Sequence, residues 1–296
     1  MKNYVEKSIK ELYDKYSFPE SFATTLTKIN DEITVEEIEK ILSKYQSLES
    51  FDIKELSALA EELANKYNYK KETINLYTLV CLVPKLKEFY KQKDISEKIF
   101  YDTVNDMRYK YRECMNCEGV DGIRNASFVG WYDTILKMDL FALGRFQYEV
   151  LPFRLKEYQK DGNVVREGDK VLSIHIPSSG VPLTDEVRHE SYALAKEFFN
   201  ERFNGKPIPF ICWSWLMNPN HDNILDKNSN IVAFMHDFDI IDTEEYEDYN
   251  VLSPWIFGKQ RVDFDTMPQN SSLQRNIKKH LVSGGKLGWG YGVFFL

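Results

Sequence analysis

The sequence predicts an α+β protein in two unlike parts: an all-helical first part over residues 1–118 and a mixed α/β second part over 119–296. Three observations lead there. The first part is filled with helix-start signals and apolar residues at helical spacing, with almost no strand signal. The second alternates strand-like apolar runs with turn residues and short helical patterns. Between them lies Cys114–Asn125, CMNCEGVDGIRN, a small, polar, glycine-bearing segment of the kind that joins domains.

In the first part, Thr34-Val-Glu-Glu37 reads as a capping box. It opens a helix whose Val35, Ile38, Ile41, Leu42 and Tyr45 share one face. Asp94-Ile-Ser-Glu97 predicts the start of another, with Ile95, Ile99 and Val104 among its apolar positions. Ser50–Lys66 and Lys71–Lys93 are also helical in pattern, and Pro84 is expected to kink the second of them. Together these predict about five helices packed as a bundle.

The second part begins with a helix-like WYDTILKMDL. In LGRFQYEVLPF, Arg145, Gln147 and Glu149 fall on one face and Phe146, Tyr148 and Val150 on the other, as in a half-buried strand. Asp161-Gly162 and Gly168-Asp169 predict hairpin turns ahead of a strand at Val171–Pro177. A helix follows, with Thr184 as N-cap and Asp185 and Glu186 in its first turn. The apolar run PFICWSWLM predicts a strand buried on both faces. The acidic stretch DFDIIDTEEYEDY reads as a solvated loop. Its other reading is a surface that draws in a cationic amine. After the helix SSLQRNIKKHLVSGG, the glycines at 284, 285, 288, 290 and 292 suggest a Gly-capped helix feeding a flexible edge strand.

Composition narrows the function. Of 296 residues, 43% are hydrophobic and 14% aromatic, enough for a large core and against disorder. A formal charge of −8 disfavours nucleic acid as a partner. The four cysteines are too scattered for a disulfide scaffold. Cys114 and Cys117 have no second pair to complete a zinc site, so no metal is expected. The N-terminus has no apolar run of signal-peptide type, and the strongest apolar run, Leu76–Pro84, is about half a bilayer span. A cytoplasmic protein without a membrane partner is the expectation. A hydrolase has little support, because no GxSxG elbow is present.

Several residues could carry chemistry. Ser178, Ser179 and Gly180 lie between a strand and a helix, where backbone amides meet phosphates. Asp185 and Glu186 argue against that, since they already complement the helix end. A plain strand–turn–helix connection is the competing account. His175 sits beside this loop, and imidazole is the side chain whose ordinary titration suits proton transfer at neutral pH. Glu149 offers the same service from the polar face of its strand. A satisfied structural histidine and a solvated carboxylate are the plain alternatives. Cys212, between Ile211 and Trp213, reads as an inert buried thiol.

The series DLFALGRFQYE, HIPSSGVPLTDE, ICWSWLMNP, SNIVAFMHDF and MPQNSSLQRNIKKHLVSGGKLGWGYG resembles the GNAT-like C-terminal domain of predicted bacterial acyltransferases. In that family it follows a helical N-acyltransferase domain, so the resemblance covers nearly the whole chain. It implies a mixed sheet opened by two diverging strands, here Val171–Ile176 and Phe210–Leu216, with an acyl-CoA (acetyl-CoA or a longer thioester) in the gap. Ile174, Ile176 and Cys212 would line that gap. Ser178, Ser179 and Gly180 would meet the pyrophosphate above the helix starting at Thr184. The implied reaction is direct attack of a small-molecule or peptide amine on the thioester, with His175 or Glu149 as base and Tyr291 as acid toward the thiolate. The family's usual Arg/Gln-xxGxG/A signature is replaced by Ser178-Ser179-Gly180, and Trp213 stands where a histidine commonly follows the cysteine. A non-catalytic module that binds a ligand or partner is the alternative.

Overall fold

In the computed structural model, which describes residues 1–296, the chain divides into Met1–Phe141 and Ala142–Leu296. The first unit is helical: α1 (Lys2–Tyr16), α2 (Glu20–Glu32), α3 (Val35–Ser43), α4 (Ile53–Tyr67), α5 (Lys71–Gln92), α6 (Glu97–Val104), α7 (Asp106–Glu118) and α8 (Tyr132–Leu136). The Thr34 capping box forms as its sequence predicts, the Glu37 carboxylate reaching back to the Thr34 amide at 2.9 Å. Before α6 the cap is Ser96 rather than Asp94. Ser96 accepts from the Ile99 amide, while Asp94 takes a left-handed conformation just ahead of it. The CMNC pair lies within α7, which ends at Gly119 with φ 66°.

Helix α5 is buried almost all round, from Thr73 to Val83, and forms the axis of this unit. Pro84 does not end it. A proline in a helix removes one N–H and orphans the carbonyl four residues earlier. That carbonyl, Val80 O, accepts instead from Ser8 Oγ on α1 at 2.8 Å. The helix therefore runs unbroken through its weakest point.

The second unit is built on a sheet. Its elements in order are β1 (Leu140–Leu143), β2 (Phe146–Pro152), β3 (Glu157–Lys160), β4 (Asn163–Arg166), β5 (Lys170–His175), α9 (Asp185–Phe199), β6 (Pro209–Ser214), α10 (His221–Ile224), α11 (Asn230–Met235), β7 (Asp239–Tyr246), α12 (Ser253–Ile256), α13 (Ser272–Val282) and β8 (Leu287–Phe295). The main sheet has the order β1-β2-β5-β6-β8-β7, and β3-β4 form a separate hairpin. Asp161 and Gly162 supply the two positive φ angles its tight turn needs.

One face of the sheet carries a packed aromatic layer. Phe146 lies 5.7 Å from Tyr192 of α9 and 5.2 Å from Phe234 of α11, and Phe210 stacks on Phe294 at 5.0 Å. The hairpin β3-β4 covers part of the other face, where Phe153, Val165, Val171, Ile211, Tyr291 and Val293 form a second cluster.

Three expectations about this unit are corrected. The acidic stretch is largely a strand, β7, at the edge of the sheet, where charged side chains block pairing with another chain. The run after Pro209 is not buried on both faces: Trp213 is 48% exposed, and the strand gives way to a tight turn at Trp215–Met217. The glycine-rich strand β8 is interior, between β6 and β7. Its glycines serve close approach rather than flexibility. A β-carbon on Gly290 would lie 2.0 Å from Met217 O, and one on Gly292 2.7 Å from Phe238 Cβ. Gly284, with φ 86°, does cap α13. No helix is long and apolar enough to cross a membrane.

Candidate active site

The central feature is an opening between neighbouring strands. β5 and β6 are parallel, and their pairing is confined to Leu172–Phe210 and Ser173–Ile211. Both strands run on past it, β5 to His175 and β6 to Ser214. Ile174 and Cys212 are the next residues on either side of the opening. Both side chains are buried, and burial pushes the Cys212 thiol well above its ordinary range, so it stays protonated.

Side-chain alternation sorts the rest. Gln147 lies opposite His175 and Glu149 opposite Ser173, so these residues share the face that carries Ile211 and Tyr291. There His175 and Glu149 meet: Nε2 lies 3.1 Å from Oε2, with the side chains 27% and 14% exposed. The two residues singled out separately from the sequence form one pair. Nothing in the alternation alone brings them into contact. The β2–β5 register does, because it offsets them by two positions on adjacent strands.

Tyr291 is buried on the same face, two strands from β5. Burial pushes its hydroxyl up to about 12, against the lowering influence of nearby Arg154. The phenol is therefore protonated at neutral pH, and its oxygen makes no hydrogen bond of ordinary geometry. The Arg154 guanidinium lies 4.4 Å from the Tyr291 ring centre and 4.2 Å from that of Trp213.

The loop after β5 is braced from outside. Arg145, in the β1–β2 turn, donates from Nε to Val181 O at 2.9 Å and from Nη1 to Pro177 O at 3.1 Å. Within it, the Ser179 amide donates to Pro177 O at 2.7 Å and Gly180 has φ 81°. Ile176, Ser178 and Ser179 lead into a cleft of about 950 Å³. Its walls are Gly180–Leu183, Leu225 and Asp226, the first turn of α11 with its cap Ser229, and the first turn of α13 with its cap Ser271. Two helices, α11 and α13, thus begin at this cleft, and helix N-termini favour anions. The contributions of α11 and α13 escaped the sequence reading. The two serine caps were the available signal.

The acid at the start of α9 is engaged. Arg188, buried beneath it, pairs with Asp237 through Nε at 2.7 Å and Nη2 at 3.1 Å, and with Asp185 at 2.9 Å. Its Nη1 donates to Leu183 O at 2.8 Å. Asp185, His189 and Asp237 come close enough together to suggest a metal site. The guanidinium already satisfies both carboxylates there. Asp185 consequently opposes an anion less than its position suggests.

Residues 140–294 match the model of the GNAT-like C-terminal domain, and residues 7–138 that of the N-acyltransferase N-terminal domain. Among solved structures, the chain is similar to a mutant acyltransferase in complex with octanoyl-CoA. That likeness has 18% identity and a TM-score of 0.74, and covers 98% of this chain and 88% of the other. It is also similar to an acyltransferase in complex with decanoyl-CoA and teicoplanin, at 18% identity and TM-score 0.65, covering 97% and 99% of the two chains. At this identity the likeness establishes the shared fold. No curated protein matches the sequence.

Proposed function

Because the chain belongs to the family that couples an N-acyltransferase N-terminal domain to a GNAT-like C-terminal domain, we propose that it transfers an acyl group from a CoA thioester to an amine. The observation that carries this reading is the opening of β5 from β6 after Ser173 and Ile211. A parallel pair that stops hydrogen-bonding while both strands continue can offer its backbone to an extended, amide-bearing ligand. A pantetheine arm is such a ligand. Ile174, Ile176 and Cys212 line its path, and Ser178, Ser179 and Gly180 lead it into the cleft, where the starts of α11 and α13 suit the pyrophosphate. Arg145 fixes the loop's shape from outside the cleft.

The reaction is direct. The lone pair of a neutral amine attacks the thioester carbonyl carbon, a C–N bond forms and the C–S bond breaks. His175 takes the amine proton, and Glu149 orients the imidazole. The departing thiolate needs a proton, and we assign its source to the phenol of Tyr291, which is un-ionised at neutral pH although burial makes it a weaker acid than a free phenol. The fold neighbours bind octanoyl- and decanoyl-CoA, so medium-chain thioesters are the first to try. The acceptor is a small-molecule or peptide amine.

One observation favours a non-catalytic ligand-binding module instead. No lysine or arginine is among the residues that line the cleft. Thermal shift with CoA and decanoyl-CoA, followed by a free-thiol release assay, separates the two readings. A ligand at a hundred times its Kd stabilises by about 2.7 kcal/mol. Binding with turnover supports transfer, and binding without turnover toward any amine supports the module. No shift with any CoA overturns transfer and favours a module for another ligand or partner. In a turning-over enzyme, His175→Ala and Glu149→Gln each lower kcat by about 10²-fold or more. Undiminished kcat in both removes the pair from the mechanism.

A further inference from the structure

We infer that Trp213, Trp255 and Trp289, together with Glu244, form the acceptor subsite, and that it takes a ring-bearing amine with a second, cationic group. The inference rests on the transferase reading for the reaction but on separate residues for the recognition.

Placement comes first. Trp213 is two positions beyond Ile211, the last residue of β6 paired with β5, so it stands at the lip of the opening on the His175 face. It lies opposite Tyr291. Two positions along β8 on that face is Trp289, which lies opposite Glu244 of β7. The indoles of Trp213 and Trp289 are 5.4 Å apart between ring centres, inclined at 49°. Trp255 of α12 meets Trp289 edge-on at 6.0 Å. A continuous aromatic surface thus leads from the opening toward the acidic edge.

Nothing in the unit covers this surface fully. Trp213 and Trp255 are each 48% exposed, although large indoles usually find a core. The Trp289 indole N–H is buried with no hydrogen-bond partner. Arg154 takes part of the Trp213 ring, with Asp242 3.7 Å away to balance its charge.

Charge then names the ligand. Along the acidic stretch, Asp239 pairs with Lys160 at 2.8 Å, Glu247 with Lys286 at 2.5 Å and Asp248 with Arg261 at 3.1 Å. Glu244 has no such partner, and it is the acid set directly opposite a half-buried indole. An aromatic face beside an unpaired carboxylate is the arrangement that holds an ammonium carried on a ring. Glu244 stands two strands from Trp213, about 10 Å at the usual interstrand spacing. An acceptor whose reacting amine enters the opening must therefore reach about 10 Å to place a second cation at Glu244, and the indole faces along that path favour a ring over a chain.

Tryptophan fluorescence titration of the full chain without CoA tests this, using kanamycin (sugar rings with several ammonium groups), a benzylic diamine and spermidine. The expected result is quenching by one or both ring amines, with Kd at least tenfold below that of spermidine. Glu244→Gln and Trp289→Leu should each weaken ring-amine binding about tenfold while leaving the thermal shift with decanoyl-CoA unchanged. Tighter binding of kanamycin assigns sugar rings, and tighter binding of the diamine assigns an aromatic ring. Equal binding of spermidine, or an unaffected Glu244→Gln variant, overturns the inference. CoA binding is read separately, so a failure of the transferase reading shows as loss of that shift alone.

Discussion

Replacing Asp237 with alanine strands a buried cation. The Arg188 side chain is 2% exposed and makes four hydrogen bonds, two of them to the Asp237 carboxylate at 2.7 and 3.1 Å. The variant keeps the bonds to Leu183 O and Asp185, but the Asp185 carboxylate is 80% exposed and its attraction is screened by water. Tyr192 also loses its acceptor, which lies at 2.9 Å. Breaking a buried pair by removing one partner costs about 3–5 kcal/mol. For a unit of this size that is a fall in Tm on the order of 6–20 °C. Urea denaturation followed by tryptophan fluorescence reads it, because Trp213, Trp215, Trp255 and Trp289 lie in the second unit and only Trp131 in the first. The transition should move to lower urea with its slope unchanged. Removing both charges, as Arg188→Met with Asp237→Leu, should recover most of the loss. A loss below about 1 kcal/mol, or a double variant no better than the single, would refute the reasoning.

The helical unit should weaken in acid for an identifiable reason. Burial alone would raise the Glu37 carboxyl, but hydrogen bonds from Lys66, Tyr67 and Thr34 pull it from 4.5 down to about 2. Its contribution is therefore complete above pH 4.5 and is lost as pH falls toward about 2. The urea midpoint of the helical unit should fall over that window, and Glu37→Gln should flatten the fall. In the sheet, Gly290→Ala puts a β-carbon 2.0 Å from Met217 O and should cost about 1–3 kcal/mol or more by thermal melting. Gly130→Ala, with nothing within 4 Å, should be neutral or slightly stabilising; equal shifts in the two variants would contradict the close-approach argument.

Local signals carried the sequence reading well where one residue's chemistry decides the structure. Thr34 with Glu37 and Asp161-Gly162 behave as expected, because caps and tight turns are fixed by neighbours a few positions away. The strand around Glu149 forms, but it is not half-buried: Gln147 on its polar face is as buried as Phe146 and Tyr148, and Val150 is less so. The misses are tertiary. Nothing near Gly288, Gly290 and Gly292 announces that a turn and Phe238 press against them, so the strand passes for a loose edge. Arg188 looks like any polar helix residue until Asp237, far along the chain, is folded onto it. The acidic run reads as loop because its alternation is hidden when both faces carry acids. Its position at the sheet edge explains why it tolerates them. For the candidate site, single residues were legible and relations were not. His175 and Glu149 were each visible, but their contact depends on the register of β2 against β5. The opening between β5 and β6 came from resemblance, since no pattern within either strand encodes where pairing with the other stops. The cleft walls at α11 and α13 come from segments that looked like ordinary helix starts.

The hydroxyl of Ser8 makes the first helix a structural part of the fifth. A peptide carrying residues 71–92 would fray at its proline, because the orphaned carbonyl would seek water and loosen the turn around it. Only when the opening segment of the chain docks does that turn close. Shortening the protein from its front therefore removes the acceptor's partner at the middle of its axis, some seventy residues downstream, at a cost of about 1 kcal/mol for the bond alone.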